Sequence, residues 1–316
     1  MPHHYIGADL SKDWIDIFHP KHQTHHRIAN EPRAITLFLR QMEAQDILVF
    51  EATSGCDDAL LSAIRAQDTA FVRTNPAHAW FFARACNLPK TDRVDARMLS
   101  AFGAARRLEP QRVNSLARDR LKALVGRRRQ YKDMITQEKN RLKRTADADL
   151  KRDIQSLLTL MERRVTKLER QIADHLNGQD ELSHTSRILA TAPGVGPVTA
   201  SVLVADMPEL GLADRKQIVS LAGLAPRAYE SGKYRGARRL GSGRRHVRKA
   251  LYMAALSVMA QGRLFRHFVT RMRAQGKASK VIVMAVARKL LTILNTMVKR
   301  QAPFDLTKLD MPRNSQ

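Results

Sequence analysis

Two groups of residues have the types and spacing for chemistry on phosphate esters. The first is four carboxylates. Asp9 and Glu51 each close a short apolar run, YIGAD and ILVFE, while Asp92 and Asp95 stand three residues apart in KTDRVDARML. Carboxylates gathered at one place repel unless a cation neutralises them, and Mg²⁺ is the hard cation that suits carboxylate and phosphate oxygen. Two such ions can clamp the attacking and leaving oxygens of a phosphodiester. Taken singly, each acid reads as a solvated loop residue, a helix cap or a surface charge; the order of all four points to a metal.

The second group lies in Gly223–Tyr252, GLAPRAYESGKYRGARRLGSGRRHVRKALY. Ser231 and Ser242 sit among Arg227, Lys233, Arg235, Arg238, Arg239, Arg244, Arg245 and Arg248, and Glu230 is the one acid of the stretch. Guanidinium forks match phosphate oxygens, and a hydroxyl held among them could attack a phosphodiester. The plainer reading is a basic loop that only grips a nucleic-acid backbone.

The acids need a scaffold, and the first hundred residues read as one. Tyr5–Ala8 and Trp14–Phe18 form a strand hairpin around Ser11-Lys12-Asp13, with a third strand over His25–Ile28. Helical spacing follows from Pro32 to Met42, then a buried-type strand Ile47–Phe50, a helix from Asp57 to Ala66, a strand Ala70–Val72, and helices from His78 and Asp92. Strands alternating with helices predict an α/β domain with a mixed sheet, whose strand ends bind ligands. Asp92 and Asp95 fall on one helical face.

Downstream, a connector over Leu108–Val113 leads into two long helices. The first, Ser115–Thr145, is loaded with Lys and Arg; the second has Ile154, Leu158, Met161, Val165, Leu168 and Ile172 in a heptad seam. They are expected as an antiparallel coiled-coil hairpin turning near 146–151, or as a pairing surface for another chain. Pro193-Gly194-Val195-Gly196-Pro197 between two helical stretches reads as a hairpin offering backbone N–H groups to a phosphate, or as a mere helix–helix turn. Apolar helices follow over Val247–Ala260 and Lys277–Arg300.

Lys and Arg outnumber Asp and Glu 55 to 30, a formal charge of +25, which calls for a polyanion partner, with nucleic acid the first choice. Two cysteines without a metal spacing argue against a disulfide framework and a zinc site. The start MPHHYIGADL has no signal-peptide pattern, and no uncharged apolar run reaches membrane-spanning length, so a cytoplasmic protein of a prokaryotic nucleoid, with no membrane partner, is expected.

The acids in this order on this strand–helix pattern resemble the junction-resolvase branch of the ribonuclease-H-like fold. Together with PGVGP, YESG and RKALYMAAL, they make nearly the whole chain similar to the insertion-sequence transposases related to the Piv DNA invertase, the bridge recombinases. The resemblance implies a ribonuclease-H-like α/β domain at 1–110, a coiled-coil helical region at 111–182 and a mainly α C-terminal transposase domain at 183–316 with a helix-hairpin-helix-like element. It implies an acidic tetrad of Asp9, Glu51, Asp92 and Asp95 binding Mg²⁺, and Ser231, inside the Tyr-acid-Ser-Gly motif, as the nucleophile, with Ser242 in a turn. Gly194, Gly196 and the arginines would hold nucleic acid. The implied partners are double-stranded target and donor DNA, a structured noncoding guide RNA, and further copies in a dimer or tetramer. The rival readings are a metal-dependent Holliday-junction-type nuclease whose C-terminal part only binds, and a non-enzymatic basic nucleic-acid-binding protein.

Overall fold

The computed structural model describes residues 3–53, 55–86, 92–227, 230–231, 234–235, 239–241, 243–262 and 264–305; the side chains of 92–94, 227, 230–231, 234–235 and 239 lie outside that description. The chain divides into two compact units, Met1–Val113 and Asn114–Gln316.

In the first unit β1 (His4–Leu10), β2 (Trp14–His19) and β3 (Thr24–Ala29) form an antiparallel meander. After α1 (Pro32–Leu39), β4 (Asp46–Glu51) returns parallel to β1; after α2 (Asp58–Gln67), β5 (Phe71–Thr74) lies parallel to β4. Then come α3 (Pro76–Ala85) and α4 (Asp92–Arg106). The sheet order is β3-β2-β1-β4-β5. Strand alternation sorts the core into two layers. Ile6, Ala8, Leu10, Leu48 and Phe50 pack with Ile35, Leu39, Leu60 and Ile64 of α1 and α2. Tyr5, Ile47, Val49 and Val72 point the other way, onto Ala79 of α3 and Met98, Leu99 and Phe102 of α4. This mixed sheet, with helices on both faces, is the α/β domain expected from the sequence.

The second unit opens with α5 (Leu116–Arg144) and α6 (Ala148–Asn177). Ser115 caps α5 by accepting from Arg118 N at 3.2 Å, and Asp147 caps α6 by accepting from Asp149 N and Leu150 N at 2.9 Å. The two helices form an antiparallel hairpin. His175 Nε2 lies 2.7 Å from Ala117 O, Arg128 donates to Glu169 at 2.6 and 2.8 Å, and Lys139 to Glu162 at 2.9 Å. Near the open end Leu121, Leu124, Val125, Ile172 and Leu176 join the main core; toward the turn Ile135, Leu158, Met161 and Val165 make a small core of their own.

The remainder is α7 (Asp180–Ala190), α8 (Pro197–Asp206), α9 (Arg215–Leu221), four two-residue strands β6 (Pro226–Arg227), β7 (Glu230–Ser231), β8 (Tyr234–Arg235) and β9 (Arg239–Leu240), then α10 (Arg245–Gln261), α11 (Arg266–Ala274) and α12 (Ser279–Arg300). The unit is mainly helical, as expected, but the serine stretch adds short antiparallel pairs, β6 with β9 and β7 with β8. Helix α12 is long and apolar enough to cross a membrane, yet Val286, Ala287, Leu290, Leu291 and Leu294 are fully buried in the core. Its buried Asn295 is satisfied on both sides: Oδ1 accepts from Gly211 N at 2.7 Å and Nδ2 donates to Ala213 O at 2.9 Å.

Candidate functional site

The acidic group is assembled by strand register. Ala8 of β1 lies beside Phe50 of β4, so Asp9 and Glu51 are the next neighbours along two parallel strands. Asp9 shares the parity of Tyr5 and Gly7, and Glu51 that of Ile47 and Val49, so both stand on the α4 side of the sheet. Glu51 in turn registers with Thr74 of β5.

Helix α4 completes the arrangement from above. Ser100 Oγ donates to Tyr5 O at 2.5 Å, and a Cβ built on Gly7 would fall 1.8 Å from Ala96 O. Moving from Tyr5 to Gly7 along β1 therefore means moving back from Ser100 to Ala96 along α4. The helix runs antiparallel to the strand, and its first turn, with Asp95, stands over the strand end that carries Asp9. Asp92 opens α4 three residues earlier; its side chain lies outside the described residues. Glycine at position 7 is what lets the α4 backbone descend onto the sheet, since any side chain there would strike helix backbone.

A further carboxylate belongs to this neighbourhood and was not singled out from the sequence. Asp16 of β2 registers directly opposite Asp9 and is buried. Arg27 of β3 grips it with two bonds, Nε to Oδ1 at 3.0 Å and Nη2 to Oδ2 at 2.8 Å. A fork-to-fork pair of this kind neutralises Asp16 without drawing on a metal. Asp9, Glu51 and Asp95 are only half-buried. Hard oxygen donors on one face at neighbouring strand ends have the chemistry for a divalent cation such as Mg²⁺, although the one set of described residues whose ligand atoms all lie within 4.8 Å of one another is His4, Glu43 and Asp46.

The opposite end of the sheet differs in kind. Asp46 is buried there, accepts from Glu43 N at 2.7 Å, and lies 3.2 Å from His4 Nδ1 and 3.7 Å from His19 Nε2. His4, Glu43 and Asp46 are close enough together to be considered as metal ligands. Lys21 already holds Glu43 at 2.8 Å, and Asp46 ties three chain segments together, so a structural brace accounts for them. Burial, outweighing the attraction of Asp46, pushes His19 below the ordinary histidine value, with His22 and His4 adding to the depression.

In the second unit the serine stretch leaves the helical core through a pinched neck. Gly243 has φ +96°, and a Cβ there would lie 2.4 Å from Gly223 N. Arg244 N donates to Leu221 O at 2.9 Å, and Arg248 Nη1 donates to Gly223 O at 3.1 Å and Gly241 O at 3.0 Å. Beyond the neck, Pro226–Arg227 pairs with Arg239–Leu240, and inside it Ser231 registers with Tyr234. The side chains of Ser231, Arg227, Arg235 and Arg239, and the whole of Lys233, Arg238 and Ser242, lie outside the described residues.

Two of the arginines expected to grip nucleic acid have partners within the protein. Arg244 makes a paired contact with Glu209, 2.6 Å from Nη1 and 2.5 Å from Nη2, and Arg248 fastens the neck. Burial opposes ionisation of Glu209, but the hydrogen bond and charge of Arg244, with the charge of Arg118, hold its carboxyl below the ordinary value. Arg245, on the first turn of α10, is exposed. The two glycines of PGVGP also part ways. Gly194 has φ +76° and packs where a Cβ would lie 2.5 Å from Val258 Cγ2 and 2.7 Å from Ala254 O, a sufficient reason for glycine. Gly196 is exposed at the N-cap of α8 with open space where a side chain would stand. A phosphate could approach there.

Comparison with known proteins yields two family matches. Residues 186–270 match a model described as Transposase IS116/IS110/IS902 family, and residues 7–148 match a transposase model of the DEDD, IS110 type. The chain is 30% identical to the pilin gene-inverting protein of Moraxella bovis over 325 aligned residues, covering 95% of this chain and 97% of the relative. It is 29% identical to the pilin gene-inverting protein of Moraxella lacunata with the same coverage. An uncharacterized 43.6 kDa protein of insertion element IS110 from Streptomyces coelicolor is 30% identical over 146 residues, 46% of this chain and 35% of that protein.

Proposed function

The chain belongs to the IS116/IS110/IS902 family of transposases, and we propose that it cuts and rejoins DNA at the acidic end of its N-terminal sheet, with Ser231 as the nucleophile. Family membership makes it a transposase acting in DNA recombination, with DNA as its substrate. The observation that carries the site is that strand register and the close approach of α4 put Asp9, Glu51 and Asp95 on one face of the sheet, at the ends of β1 and β4 and the start of α4. A DEDD-type domain works with a divalent metal, and Asp9, Glu51, Asp92 and Asp95 would hold Mg²⁺. Bound there, the ion would neutralise phosphate charge and stabilise the attacking and leaving oxygens.

The protein's own part is to position. Gly7 sets the height of α4, and the Asp16–Arg27 pair fixes the strand beside Asp9. In the step we assign to Ser231, its Oγ gives up a proton and bonds to phosphorus as the bond from phosphorus to a deoxyribose oxygen breaks, and that oxygen takes up a proton. The phosphoserine keeps the ester energy, so a strand hydroxyl can later attack it, rejoin the DNA and release the serine. The pinned neck around Gly223 and Gly243, which carries a short hairpin with Ser231 opposite Tyr234, supports this role. The serine and the acids must then meet on the DNA, within one chain or between copies.

We further assign sequence choice to a structured noncoding guide RNA whose loops pair with target and donor DNA; a charge of +25 suits a protein that holds two polyanions. Functionally the chain would divide at 1–110, 111–182 and 183–316, with Gly196, Arg227, Lys233, Arg235, Arg238, Arg239 and Arg245 toward nucleic acid. Leu150, Leu157 and Leu160 remain exposed on α6, which supports assembly into a dimer or tetramer.

One observation favours the second reading, a metal-dependent nuclease using water. The segment matching the DEDD transposase model, 7–148, contains all four acids and stops well short of Ser231. Ser231→Ala separates the two: loss of strand transfer supports the serine, and normal cutting decides for water.

A further inference from the structure

Helix α3 carries a surface that the acidic site does not use. Its inward side is fixed: Ala79 is buried, and Phe82 meets Phe102 of α4 edge-on with ring centres 5.4 Å apart. Its outward side shows Trp80 and Phe81, 51% and 65% exposed. Their rings stand 4.9 Å apart at 74°, and the Arg84 guanidinium lies 5.0 Å over the Trp80 ring. Two adjacent large aromatics left in water lose the gain that burial would bring, so an occupant is expected.

Charge, shape and place select that occupant. The sequence has no acidic residue between Asp68 and Asp92, so the helix faces a polyanion without repulsion. Aromatic faces beside a guanidinium suit another flat π system, and every nucleobase has one. Helix α3 starts two residues after Thr74, the strand neighbour of Glu51, and Trp80 falls within about 8 Å of rise from its start. Bases inside a duplex are already stacked and cannot use such a surface; bases in an opened strand can.

We propose that Trp80 and Phe81, with Arg84, form a stacking platform for unpaired DNA bases beside the acidic site. It rests on the reading of that site as one that acts on DNA phosphates. The platform holds the strand opened there and presents its backbone toward Asp9 and Glu51.

The test uses fluorescence. The chain has two tryptophans, Trp14 and Trp80, so Trp14→Phe leaves Trp80 as the sole reporter in the full-length protein. It is titrated with a thymidine 12-mer, a 12-base-pair duplex and a uridine 12-mer at one salt concentration, without metal. Saturable quenching by the thymidine oligomer, at least severalfold tighter than by the duplex, is expected. Adding Phe81→Ala should weaken it about tenfold while duplex affinity and thermal midpoint hold. No quenching, equal quenching by duplex, or a clear preference for uridine overturns the proposal. So does a blue shift of Trp80 on raising protein concentration alone, which would put a second copy on the surface. Repeating the titration with Asp9→Asn separates the two ideas. Quenching that persists while strand transfer is lost supports both; quenching lost with strand transfer intact overturns the platform; strand transfer intact with quenching retained removes the acidic site and, with it, the placement proposed here.

Discussion

Substituting Gly7 by alanine should damage catalysis through geometry alone. A Cβ at residue 7 would sit 1.8 Å from Ala96 O, 2.7 Å from Ser100 N and 2.9 Å from Ala96 C, all helix backbone. Restoring an ordinary contact of 3.4 Å requires α4 to retreat from β1 by about 1.6 Å. That lifts Ala96, Met98, Leu99 and Phe102 out of their packing and carries Asp95 away from Asp9 and Glu51. Overpacking of this kind costs about 1–3 kcal/mol, and a misplacement of about 1 Å in a catalytic group costs roughly 100-fold in rate. We expect the denaturant midpoint to fall correspondingly and strand transfer on a labelled DNA substrate to drop about 100-fold or more. DNA affinity at fixed salt should hold within about twofold, since the most basic stretches lie in the other unit. Gly126→Ala, in α5 with open space around it, is the control and should be neutral or slightly stabilising. A Gly7→Ala protein with wild-type stability and wild-type strand transfer would refute the idea that α4 height sets the site.

Other substitutions probe the rest of the arrangement. Asp9→Asn or Asp95→Asn should abolish strand transfer while leaving duplex affinity near wild type, read by gel shift. Arg27→Ala should strand the buried Asp16 charge, lowering stability by about 1–3 kcal/mol in urea melts, with strand transfer reduced more than binding. Glu209 has a carboxyl held below its ordinary value, so its pairing with Arg244 stabilises the fold above the unfolded carboxylate pKa and is lost as pH falls through the folded one. Glu209→Gln should therefore lower the thermal midpoint at neutral pH and flatten its decline in acid. Arg248→Lys keeps the charge but cannot span Gly223 O and Gly241 O together, so strand transfer should fall while the salt slope of DNA binding stays the same.

The N-terminal scaffold was legible because its signals are local. Apolar alternation in Tyr5–Ala8 and Ile47–Phe50 marks strands, and the acids that close them inherit their position from register. Asp16 escaped notice because it is one polar residue in the alternating run WIDIF, indistinguishable by sequence from a solvent-facing position. Its meaning comes from lying across from Asp9 and under Arg27, which only strand pairing reveals. The internal partners of Arg244 and Arg248 are hidden from the sequence for a related reason. Charge is visible in a sequence, but the partner is not, and Glu209 lies 35 residues before Arg244. The short arginine-rich helix α11 has Val269 as its one buried residue, and its low apolar content hides it in the sequence. The long helices α5 and α6 were expected, as a hairpin or as a pairing surface, and the hairpin forms within one chain.

The most direct measurement is a search for a covalent protein–DNA adduct. The purified protein, Mg²⁺, co-purifying RNA and end-labelled supercoiled DNA are mixed, quenched in denaturant and resolved by size, with Ser231→Ala and Ser242→Ala in parallel. Label on the wild-type and Ser242→Ala proteins, and none on Ser231→Ala, is the expected result. Cut DNA with no label on any of the three proteins would contradict it and leave the acids as the whole active site.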